Sequence, residues 1–351
     1  MMKFKKIVSL LLTVLMLAAL AACASDTKKE SSGENSSSSV LKEESKAESE
    51  ETEITSFTLA YPADMQALGY TDPVVLDTPP KRIACMSTYP VMALYELGAP
   101  LIAVPSTSVL TYPDDLEAEI LPGMMSDDFD LESVVSLEPD LVIMPTTNQD
   151  TYGATLEGLG IPVYYVAISS QTLPVYEVVK SQTQALVDAF SLDESSNAAG
   201  EALMGRFTEL ENRLEELKPT YEGKTVMVLV TSDPTTHYLQ TENGTLGSML
   251  AMLGFTNVYE NDTAGMVSLD MENALEYDPD LLVFTGGLDQ AGMEALVQET
   301  FDQNPDYWNS ISAVANGDVI CLPSAYVSTA GINILNNIQD LMDTIAAHYD
   351  K

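Results

Sequence analysis

The 351-residue chain is short of positive charge: 15 Lys and Arg stand against 53 Asp and Glu, a formal net charge of −38. Such a surface repels a phosphate backbone, which excludes nucleic acid as a partner. Histidine is nearly missing, with two residues, and cysteine totals three. Two histidines cannot cage a zinc or manganese ion, and three cysteines provide no disulfide framework. No Gly-x-Ser-x-Gly elbow, Walker-type phosphate loop or Cys-x-x-Cys pair occurs. Nucleophilic, nucleotide and dithiol chemistry therefore lack their usual residues, and the chain is expected to bind without turnover, not as an enzyme and with no cofactor. Apolar residues make up 46% of the sequence, enough to fill globular cores, and the length favours roughly two domains.

The chain opens with Lys3, Lys5 and Lys6, followed over residues 7–22 by a mostly apolar run. That run falls short of the ~20 residues a membrane-spanning helix needs and reads as a secretory signal over residues 1–22. It ends in Leu20-Ala21-Ala22-Cys23, similar to a bacterial lipobox, in which Cys23 would take the lipid. Residues 23–56 are rich in Ser, Glu and Lys and cannot bury enough apolar surface to offset chain entropy. They are expected to form a tether that holds a folded body at the extracytoplasmic face of the cell membrane.

The body contains a repeat. Asp130-Leu131-Glu132 leads to Pro139-Asp140-Leu141, and Asp270-Met271-Glu272 leads to Pro279-Asp280-Leu281, at a constant offset of 140 residues (130 against 270). Each copy reads as a short helix with acids at its positive end, a stop before proline, and a buried strand. Two similar lobes follow. Short apolar runs at 83–86, 101–104, 141–144 and 163–166, then at 225–230, 281–284 and 319–322, alternate with helical segments, which implies parallel sheets. Between the lobes, residues 193–217 lack proline and carry apolar residues at helical spacing, predicting one long strut. The expected architecture is α/β: two Rossmann-like lobes, residues 57–191 and 220–351, joined by a single long α-helix over 192–219, with a ligand cleft between them.

Several segments carry a family resemblance. They are Pro80-Lys81-Arg82-Ile83-Ala84-Cys85-Met86-Ser87, Glu96-Leu97-Gly98, Leu131-Glu132 through Ile143, Leu159-Gly160-Ile161-Pro162-Val163, and Leu253-Gly254-Phe255-Thr256-Asn257-Val258. In this order the chain resembles the substrate-binding proteins of iron-chelate (siderophore or haem) and cobalamin ABC importers. The resemblance implies an importer's capture protein that docks on a permease dimer with its ATPase. It further implies that Glu132 and Glu272, one per lobe, meet arginines of the two permease subunits. The sequence departs from many relatives at Met92, where they carry a glutamate. A chelatase-like tetrapyrrole enzyme and a non-transport binding or sensor lipoprotein are the alternatives.

In parallel sheets, ligands sit beyond the carboxyl ends of the strands. The loops expected there offer Ser87, Thr88, Tyr89, Tyr112, Thr147, Asn148 and Tyr152 in the first lobe. The second offers Ser232, His237, Asn243, Thr285, Gly286, Gly287, Ser324 and Tyr326. None of the eight basic residues of the body falls in these loops, whereas an anionic catecholate or citrate chelate calls for Arg or Lys clamps. A neutral or cationic siderophore is the expected ligand, with haem or a corrinoid as the other candidates. For haem, some relatives use a Met of the first lobe and a His after a Thr-Glu pair. Here Met124 and Met125 lie near the first place, but Thr241-Glu242 is followed by Asn243; His237, six residues earlier, could substitute only if its loop folds back, and no metal site is otherwise expected.

Overall fold

Our computed structural model describes residues 56–167, 173–259, 265–269 and 271–350. The expected signal, Cys23 and the tether up to residue 55 lie outside them. The first described elements are strand β1 (Phe57–Leu59), helix α1 (Ala63–Ala67) and strand β2 (Val74–Leu76), with β1 and β2 paired antiparallel. The first lobe then runs β3 (Ile83–Cys85), α2 (Thr88–Glu96), β4 (Leu101–Pro105), β5 (Glu119–Leu121), α3 (Leu131–Ser136), β6 (Leu141–Pro145), α4 (Ala154–Gly158), β7 (Val163–Val166) and α5 (Val175–Phe190). Its five strands form one parallel sheet in the order β5-β4-β3-β6-β7. The central strands β3 and β6 are buried at every position, as a sheet covered on both faces requires.

Helix α6 (Glu194–Tyr221) follows. At about 1.5 Å per residue its length is roughly 40 Å. Asp193 starts it with a capping box, its side chain accepting from the Ser196 N–H at 2.8 Å. It reaches beyond the strut expected from the sequence because Pro219 sits in its last turn, where only one hydrogen bond is forfeited.

The second lobe contains β8 (Thr225–Asp233), β9 (Thr236–Gln240), α7 (Thr245–Met252), β10 (Thr256–Asn257), β11 (Met266–Ser268), α8 (Met271–Tyr277), β12 (Leu281–Thr285), α9 (Gln290–Gln303), α10 (Pro305–Trp308), α11 (Ser312–Asn316), β13 (Val319–Cys321) and α12 (Asn333–Tyr349). Its sheet is mixed, which corrects the all-parallel expectation: the order is β11-β9-β8-β12-β13, with β10 on β8, and β9 and β11 run antiparallel. The cause is local. Asp233 and Pro234 turn the chain, the Asp233 carboxylate accepts from the Thr235 N–H at 2.9 Å, and β9 folds back as a hairpin.

The repeat has a mechanical meaning that its spacing alone did not disclose. Glu138 and Asp278 take the same left-handed conformation, φ 49° and 33°. Two residues on, Asp140 accepts from the Lys81 and Arg82 N–H groups at 2.7 and 2.9 Å, and Asp280 accepts from the Thr225 N–H at 2.7 Å. Each carboxylate thus pins the start of the parallel strand beside its own, β3 beside β6 and β8 beside β12. The Thr225 N–H and hydroxyl together hold Asp280 below the usual carboxylate range.

Alternation along β8 divides the core. Val226 and Val228 join the large cluster that also holds the first lobe, while Met227 and Leu229 face a second cluster around Phe284, Met293 and Trp308. One face of the second lobe is therefore continuous with the first. Helix α6 packs on α2 and α5 of one lobe and on α12 of the other, and α5 also touches α7. Ion pairs follow the same route: Arg206 with Glu96, Lys180 with Glu211, and Arg213 with Asp343. A joint cored in this way resists wide opening. Among the described residues no helix is long and apolar enough to cross a membrane.

Candidate ligand-binding site

The carboxyl ends of both sheets border one open cleft of about 520 Å³, a size that suits a small-molecule ligand. The first lobe contributes Ser108 and Val109, from the loop after β4. The second contributes far more: Gly286 and Gly287 after β12, Ser324, Ala325, Val327, Ser328, Thr329 and Ala330 after β13, and Asn333 and Asn337 on α12. Among the described residues no charged or titratable side chain lines it. Gly286 is small for a packing reason, since a Cβ there would lie 2.4 Å from the Thr231 carbonyl oxygen.

Of the candidates read from the sequence, Gly286, Gly287 and Ser324 line this cleft; the others are not among its lining residues, for distinct physical reasons. Ser87 is buried before α2, and Tyr326 is buried in the core, where burial pushes its hydroxyl up to about 12. Thr285 is fully buried, its hydroxyl donating to the Pro323 carbonyl at 3.2 Å. Tyr112 donates to the Pro105 carbonyl at 2.5 Å, and Tyr152 packs edge-on to Phe129 at 5.0 Å. Asn148 is buried and receives the Thr147 hydroxyl at 3.2 Å. Thr88 and Tyr89 begin α2, with Tyr89 raised to about 12 by burial. Ser232 is exposed on β8, and Asn243 is exposed in the turn before α7.

His237 is the main correction. It lies on β9, not in a loop, 6% exposed, with Nδ1 3.1 Å from the Thr231 hydroxyl and its ring 5.4 Å from that of Trp308. The hairpin turns it into the second core cluster, away from the cleft. Met124 is buried and Met125 is 86% exposed. Among the described residues no group of three or more His, Cys, Asp or Glu could hold a metal ion. Cys85 and Cys321 are free thiols, raised by burial to about 12 and about 11.

Burial holds the His237 imidazole below its ordinary value near 6.5, against smaller upward pulls from the Pro234 backbone and Asp233. The unfolded chain therefore binds this proton more readily than the folded one. The stability due to neutral His237 is fully present above the unfolded value and declines as pH falls below about 6.5. Urea unfolding of His237→Gln is expected to lose that slope as pH falls below about 6.5; a slope equal to that of the wild type would refute the assignment.

The residues that line the cleft were missed chiefly between β13 and α12. The sequence signal was there: Ser328-Thr329-Ala330-Gly331 is a run of small residues directly after a predicted strand. The acids expected to dock, by contrast, occupy equivalent places. Glu132 is exposed at the second position of α3, its N–H bonded to the Asp130 carboxylate at 3.0 Å. Glu272 is the second residue of α8, and its side chain lies outside the described residues.

Two α/β sheets bridged by one long helix, with an uncharged cleft at their carboxyl ends, make up the arrangement of a two-lobed binding protein. The chain belongs to the periplasmic binding protein family, whose pattern it matches over residues 83–326. It is 24% identical over 229 residues to the high-affinity heme uptake system protein IsdE of Staphylococcus aureus, covering 65% of this chain and 74% of that one. Its fold is similar to that of the periplasmic heme-binding protein HutB of Vibrio cholerae, with a TM-score of 0.60 and 17% identity over 75% of this chain and 98% of that one. A likeness of the same kind, TM-score 0.57 and 18% identity over 76% and 98%, links it to the Fe3+–Desferal-bound siderophore-binding protein FhuD of Vibrio cholerae.

Proposed function

We propose that the chain is the extracytoplasmic capture protein of an ABC importer, lipid-anchored through Cys23, which takes an iron chelate into the cleft and delivers it to a permease dimer and its ATPase. The observation that carries this reading is the cleft itself, placed where both sheets end and lined, among the described residues, by hydroxyl, amide, glycine and small apolar groups. Family membership and the ligands named for IsdE, HutB and FhuD support it. The strongly acidic body supports a neutral or cationic chelate over an anionic one. Glu132 and Glu272, at equivalent helix positions of the two lobes, suit contacts with two similar permease subunits.

The enzyme alternative needed His237 as a cleft base, and its burial beside Trp308 weighs against that. The test is direct. Protein purified from its own growth medium, or offered haemin, cobalamin and the ferric Desferal complex in turn, should retain one of these chromophores in its absorption spectrum. Retention of none of them would discard the capture reading.

A further inference from the structure

Thr329 is 8% exposed, and its hydroxyl oxygen is buried without a hydrogen-bond partner. Native proteins leave few such groups unspent, and each calls for an explanation. Its neighbours are already committed: Asn337 donates its amide to the Ala325 carbonyl at 3.0 Å, and Thr285 donates to the Pro323 carbonyl. Thr329 lines the cleft within a segment that cannot retreat, because the next-but-one residue, Gly331, is pressed against the Tyr89 backbone of the first lobe. Rotation of χ1 between staggered positions redirects the hydroxyl with no backbone movement.

We infer that Thr329 is a ligand-recognition residue of the second lobe, donating its hydroxyl to a carbonyl-type or hydroxamate oxygen on the surface of an uncharged or cationic chelate. This rests on the capture reading and adds the ligand's chemical class. An oxygen acceptor completes the one buried hydroxyl left open in the described cleft lining. A carboxylate or catecholate would enter a site with no cation among its described lining residues, its charge unpaired within a chain of net charge −38. Haem, with two propionates, falls on the disfavoured side of the same argument.

The experiment is calorimetric titration of the ferric Desferal complex, a cationic trihydroxamate, into the wild type, Thr329→Val and Thr329→Ser, with haemin as the anionic control. The wild type should bind the ferric Desferal complex. Valine, which keeps the shape and removes the hydroxyl, should weaken binding roughly three- to tenfold, while serine should stay within about twofold. The unliganded valine variant should unfold at no lower temperature than the wild type, since no bond is lost; a purely structural hydroxyl would give the opposite. Equal binding by wild type and valine variant overturns the inference, as does a wild type that binds haemin and not the ferric Desferal complex. A wild type that binds neither these nor cobalamin overturns the capture reading instead.

Discussion

Gly331→Ala is expected to lower folding stability by about 2–5 kcal/mol. Two effects add. Gly331 has φ +52°, a left-handed conformation that costs a residue with a Cβ about 1–2 kcal/mol. The new Cβ would also lie 1.8 Å from the Tyr89 carbonyl oxygen, backbone that has no rotamer by which to move aside. Overpacking of this kind typically costs a further 1–3 kcal/mol. Because Tyr89 belongs to α2 and Gly331 precedes α12, the collision falls between the lobes. Urea denaturation should show a lower midpoint, and the ligand affinity of the surviving folded protein should drop as the cleft widens. A midpoint equal to that of the wild type would show that the two segments separate freely.

The second large effect concerns docking. Glu132→Ala combined with Glu272→Ala should reduce ligand uptake by whole cells at least tenfold while leaving ligand affinity unchanged. Exposed ion pairs contribute only about 0.2–1 kcal/mol each. A charge pair desolvated in an interface costs about 2–5 kcal/mol when one partner is truncated. Loss of two such pairs therefore lies well beyond an order of magnitude in complex formation, whereas loss of two solvent-exposed pairs, about 0.4–2 kcal/mol together, spans only roughly two- to thirtyfold. Each single variant should fall between wild type and double variant, since both lobes must engage. Uptake at the wild-type rate in the double variant would remove these acids from the docking surface.

Much of the architecture was legible in the sequence because it is written in local chemistry. The runs that became β3, β6 and β12 are buried at every position, and continuous apolar stretches announce such strands. The paired Pro-Asp-Leu segments stood out at fixed spacing, but that Asp140 and Asp280 clamp the neighbouring strand was not visible, since their partners lie 55 or more residues away. The β8–β9 hairpin was hidden by reading the stretch that holds Ser232, His237 and Asn243 as a loop after the strand. The alternation that buries His237 and Leu239 but not Tyr238 was its signature. The cleft was legible in position and chemical character, not in membership. Which hydroxyls face it depends on how α12 approaches the sheet, and periodicity along one chain does not encode that.

Trp308 is the sole tryptophan, 2% exposed, with Phe284, Phe301, Tyr307 and His237 as its ring neighbours. It belongs to the cluster that the alternation of β8 sets apart from the shared core. The molecule therefore carries a built-in optical probe of one region. Changes in its emission during denaturation record the melting of the packing around α9 to α11, while the tyrosines of the first lobe record the other region. If the two signals part company along a denaturant series, the outer half of the second lobe is unravelling as its own cooperative unit.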